Sequence, residues 1–70
     1  MEIAEYNAGI AAATELLRGG ADLEAAILKM KRVGFSPIEC IKGVMEITGS
    51  ALADATRAVH FSAAWSELRE

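Results

Sequence analysis

Three joints containing glycine cut this chain into pieces too short for anything larger than small helices: Gly19-Gly20-Ala21-Asp22, Gly34-Phe35-Ser36-Pro37 and Gly49-Ser50. Each joint couples a residue that stops a helix to one that starts the next. Glycine tolerates the left-handed backbone that closes a last turn. Asp and Ser side chains accept hydrogen bonds from the unpaired amides of a first turn. The strongest start is Ser36-Pro37-Ile38-Glu39. Ser-x-x-Glu is a capping box, and proline at the first helical position gives up no needed hydrogen bond. Phe35 precedes the cap, where an apolar residue staples onto the residue four into the helix, here Cys40.

Between the joints, apolar residues recur at helical spacing. The pattern predicts helices over about 2–18, 23–33, 37–48, 51–60 and 63–69. Ile3, Tyr6, Ile10, Ala13 and Leu17 form one stripe of the first, and Gly9 marks a close approach by a neighbour. Asp22 caps the second, whose stripe is Leu23, Ile27, Met30 and Val33. Ile38, Ile41, Val44 or Met45, and Thr48 form the stripe of the third, with Ile47 extending it. Ser50 is expected to cap the fourth, with Leu52, Ala55 and Val59 inward. Ser62 caps a short last helix carrying Trp65 and Leu68. β-branched residues never alternate over a strand length, so no sheet is expected. The expected fold class is all-α: a single helical domain, residues 1–70, built as a small compact bundle of four to five short helices.

Composition sets the terms of that bundle. Fourteen of the 70 residues are alanine, and bulk comes from two Phe, one Tyr and one Trp. The core must be thin and its helices close together. A chain of this size buries a modest fraction of its surface. Cys40 is the only cysteine and His60 the only histidine, so neither a disulfide within the chain nor a zinc site can brace it. The net charge is −3, which speaks against a nucleic-acid partner. The expected localisation is cytoplasmic: no apolar run approaches a membrane span, no export signal opens the chain, and the thiol is unpaired.

The chain offers little chemistry. Cys40 and His60 are the only nucleophile–base candidates, and catalysis needs them within hydrogen-bond reach. Cys40 falls among apolar neighbours and reads as a small core residue. His60 and Arg57, like Lys29, Lys31 and Arg32, lie near helix C-termini, where the macrodipole favours cations. The Lys29–Arg32 cluster has a second reading, as a docking patch for an acidic partner. The ten carboxylates are dispersed from Glu2 to Glu70 and suggest no acid–base pair across a cleft. Neither phosphate-cradling glycine pattern occurs. No enzymatic activity, cofactor or metal is expected.

Ile41-Lys42-Gly43-Val44-Met45-Glu46-Ile47-Thr48-Gly49-Ser50-Ala51-Leu52-Ala53-Asp54-Ala55 has the form IK-x-V-x-x-x-TG-x-x-L-x-x-A. It resembles the helical hairpin in the C-terminal domain of the bacterial ribosomal stalk protein, over about residues 38–62. The resemblance implies a surface for translation factors to which Ile38, Ile41 and Lys42 would contribute. Other basic positions of that surface fall on Pro37, Met45 and Thr56. Residues 24–60, with Val33-Gly34-Phe35 in the first loop and Thr48-Gly49 in the second, look like ubiquitin-associated and related three-helix domains. That likeness implies an apolar partner surface at the first loop and the end of the third helix.

The functional expectation is a small non-enzymatic protein–protein interaction module. Phe35, Ile38, Ile41, Lys42 and Met45 are the candidate partner-binding residues. Phe61 and Trp65 are further aromatic candidates whose burial in the core is favoured, because a small bundle must bury its few large side chains. One alternative is an immunity protein or antitoxin-like inhibitor that meets a basic toxin through charge complementarity. Another is self-assembly, with the stripe between residues 3 and 17 as a homodimer seam.

Overall fold

The computed structural model of the protein describes residues 1–69, the side chain of Arg69 excepted. The chain forms α1 (Ile3–Arg18), α2 (Leu23–Val33), α3 (Pro37–Thr48), α4 (Leu52–His60) and a terminal 3-10 segment (Ala63–Arg69). No strand occurs among the described residues. α1 packs on α2 and α3 on α4 as two hairpins, and α3 touches both helices of the first hairpin. The whole measures 30 × 26 × 20 Å.

The joints are built as their chemistry demands. Asp22 accepts from the Ala25 amide at 3.0 Å. Gly34 ends α2 at φ 117°, a left-handed conformation that only glycine adopts without strain. Both halves of the Ser36–Glu39 capping box are present: the Glu39 amide donates to Ser36 Oγ, and the Ser36 amide donates to the Glu39 carboxylate. That second bond holds the Glu39 carboxyl below its usual range. The fourth helix departs from expectation. Ser50 does not cap it; Ala51 stands at that position, with no side-chain bond. The Ser50 amide and hydroxyl instead pair with Thr48 Oγ1, so a local partner two residues back captures the side chain. The last element is the expected short helix, in a tighter form. It is 3-10, broken at Trp65 (φ −114°, ψ 32°), which turns the indole inward.

The core comprises Ala13, Ala26, Ile27, Met30, Phe35, Cys40, Val44, Ala55, Val59 and Trp65. Tyr6, Ile10 and Leu17 pack against it, so the α1 stripe is engaged inside its own chain from Tyr6 onward. Ile3, Val33, Ile38, Thr48 and Leu52, all placed on inward stripes by their spacing, point out. Ile3 is 79% exposed and Leu52 62%, each in the first turn of its helix, and Val33 at the end of α2 is partly exposed.

Phe35 is wedged at the centre. Its ring stacks on Tyr6 with centroids 5.0 Å apart. A Cβ built on Gly9 would lie 2.7 Å from Phe35 Cζ and closer still to Cε1. A Cβ built on Gly43 would lie 2.6 Å from Met30 Sδ and 3.5 Å from Phe35 Cε2. Gly9 is thus the close approach its position suggested, made to the ring of the α2–α3 joint. Gly9 makes the space that this ring fills, and Gly43 makes room for Met30 beside it.

Candidate protein interface

Phe35 is the first correction among the candidate contact residues. It is 2% exposed and offers no surface to a partner. The other four lie on α3 at positions i, i+3, i+4 and i+7, one face of the helix. Cys40, Gly43 and Val44 fix the inward direction. Ile41 and Met45 sit at the edge of that face, half-buried against the core. Ile38 is 71% exposed. Lys42 is exposed, with Nζ 6.0 Å from the centroid of the Tyr6 ring.

Across Lys42 the face continues into a shallow cleft of about 190 Å³, lined by Met1, Ile3, Tyr6, Glu39 and Lys42. This brings the start of α1 beside the start of α3. Of the two most exposed large apolar side chains, Ile3 shares this cleft with Lys42, and Ile38 lies one turn before Lys42 on α3. Tyr6 anchors the junction: its hydroxyl donates to Glu46 Oε2 at 2.8 Å. Burial, and then that carboxylate, push its pKa up to about 12. The phenol accordingly stays a donor across the range in which most proteins work.

Sequence reasoning missed a second apolar surface. Leu52 and Phe61, the latter 64% exposed, line an open cleft of about 620 Å³ with Ala53, Thr56, Arg57 and His60. Phe61 was expected inside. It stands at the C-cap of α4, one residue past the last helical turn, and makes a T-shaped contact with His60 at 4.8 Å. A detectable sign was that Ala55 and Val59 already supply the inward pair. Trp65, by contrast, is buried as expected.

The two candidate chemical groups do not meet. Cys40 is fully buried, while His60 is exposed at the end of α4. Burial raises the thiol pKa, with the Trp65 indole N–H acting in the opposite sense, so the sulfur is held as a thiol. Among the described residues no group of three or more His, Cys, Asp or Glu could hold a metal ion. Glu70, one of the ten carboxylates, lies outside the described residues. Among the described residues, no helix is long and apolar enough to cross a membrane.

Of the basic residues on α2, Lys31 has an internal task. Its Nζ donates to the Ala64 carbonyl at 2.6 Å and to Glu67 Oε1 at 2.7 Å, and lies 4.5 Å from the Trp65 ring centroid. It clamps the terminal segment. Lys29 and Arg32 line a cleft of about 290 Å³ with Leu16, Ala25 and Leu28. Comparison with known protein families, curated proteins and solved structures finds no match for this chain.

Proposed function

We propose that the protein is a small, non-enzymatic protein-interaction module, and that the outer face of α3, together with the start of α1, is its docking surface. The supporting observation is the exposure of Ile3 and Ile38, at 79% and 71%, Ile3 in the cleft beside Lys42 and Ile38 one turn before Lys42 on α3. A chain with so little bulk gains from burying every large apolar side chain it has. Here the core closes without these two. Scattered exposed apolar residues are ordinary, but two that both neighbour one amphipathic lysine make a patch. Ile41 and Met45 give the patch a half-buried floor. A soft methionine side chain there adapts to a partner's shape. The reading goes with a cytoplasmic setting, where an unpaired thiol such as Cys40 persists.

Photo-crosslinking in the native cell tests this. A photoreactive residue replacing Ile38 is expected to yield one discrete protein adduct, and the same residue at exposed Ala11 none. Ile3→Glu, added to the position-38 probe, is expected to abolish the adduct while changing stability by less than about 0.5 kcal/mol, as befits an exposed site. Identical adduct patterns at positions 38 and 11 would reject the surface.

A further inference from the structure

We propose that the terminal segment from Ser62 to Leu68 is a latch on α2 that controls access to the Cys40 thiol. This inference does not depend on the interaction surface above.

The segment is fastened at two points. Near the start of α2, Glu24 Oε1 accepts from Ser62 Oγ and from the Ala63 amide, each at 3.0 Å. Two turns further on, Lys31 holds the Ala64 carbonyl, the Glu67 carboxylate and the face of the Trp65 ring. Between the fasteners, Trp65 enters the core that also contains Cys40. Ala63, Ser66, Glu67 and Leu68 are exposed, so Ser62 and Trp65 are the only fully inserted side chains. The segment is 3-10 and broken at Trp65. Such short, poorly bonded turns have little stability of their own.

Docking is also imperfect. The Trp65 indole N–H is buried and makes no hydrogen bond. Cys40 lies in the same core cluster as this indole, where burial raises its pKa and the indole N–H acts in the opposite sense. A buried donor left unpaired lowers the net gain of the docked state. Release returns that N–H to water, and it breaks contacts on α2 and α4 without touching the seam between α1 and α2. Regions held by few buried contacts open locally, below the threshold of global unfolding. In the docked state the thiol is hidden and protonated. In the released state water reaches it, and the thiolate can form.

Cys40 is the only cysteine and Trp65 the only tryptophan, so each gives an unambiguous signal. The test follows iodoacetamide labelling of Cys40 by intact mass, as a function of urea, beside the far-UV signal for global unfolding. The wild-type labelling rate is expected to depend on urea more weakly than global unfolding does. Removing both fasteners in Glu24→Ala/Lys31→Met is expected to speed labelling about tenfold or more, because the open population rises as the charged hydrogen bonds are lost. Trp65 fluorescence should report increased exposure while helix content holds. If the double variant does not fold, Glu67→Ala removes one exposed fastener and should raise the rate in the same direction. Labelling that tracks global unfolding in every variant, or fastener variants that label at the wild-type rate, would overturn the latch.

Discussion

Phe35 occupies space that exists only because Gly9 lacks a side chain, and its ring is stacked on Tyr6. Two effects oppose each other in Gly9→Ala. Helix propensity favours alanine by about 1 kcal/mol. Overpacking a filled core costs about 1–3 kcal/mol. The ring is buried and stacked on Tyr6, which limits how far it can swing away, so overpacking should win. A net loss of about 1–2 kcal/mol is expected, read from the urea midpoint. Gly19→Ala is the control: its backbone is ordinary at φ −78°, and a Cβ there would meet nothing nearer than 3.5 Å. An alanine at position 9 that leaves the midpoint unchanged or raises it would show that the ring is free to move.

At the scale of elements, the capped starts separate cleanly. Ser36 bonds the Glu39 amide, and losing such a cap costs about 1 kcal/mol. Ser50 makes no cap, so Ser50→Ala should change stability by less than about 0.5 kcal/mol. Equal losses in the two variants, measured by chemical denaturation, would mean that Ser50 supports α4 after all. The contrast shows what local sequence can reveal. The start of α3 was legible because every participant lies within four residues and each has one good partner. Ser50 had a competing partner in Thr48, and single-residue preference does not say which bond forms. Leu52 was misread because periodicity assigns a direction without showing whether anything waits there to be covered. Burial of Phe35 depended on Gly9, which is remote in sequence, so the joint looked equally suited to a staple or a contact. Of the candidate interface, spacing placed Ile38 and Ile41 on the inward stripe of α3, and the resemblance to the stalk hairpin was what offered them, with Lys42, to a partner. The contribution of Ile3 could not be read, because only the packing of α1 beside α3 brings it to Lys42.

For the whole molecule, the question is what holds one hairpin to the other. α1 meets α3 at Tyr6, which stacks on Phe35, underlies Lys42 and donates to Glu46. This junction is sensitive to alkali. The Tyr6 pKa rises from 10.0 in the unfolded chain to about 12 in the folded one, with burial the larger cause and the Glu46 carboxylate the next. A folded-state pKa above the unfolded value means that the folded protein holds the proton more tightly. The resulting stability is intact below pH 10 and drains away as pH rises toward 12, because only the unfolded chain has released its proton there. Tyr6 is the only tyrosine, so its phenolate absorbance gives the titration directly, free of the lysines that ionise in the same range. The midpoint should lie near 12. Glu46→Gln removes the neighbouring charge but leaves an amide oxygen as acceptor and leaves the burial unchanged. Its midpoint should therefore fall only part of the way toward 10. A wild-type midpoint at the ordinary tyrosine value, or a Glu46→Gln midpoint identical to wild type, would show that the two hairpins are joined by packing alone.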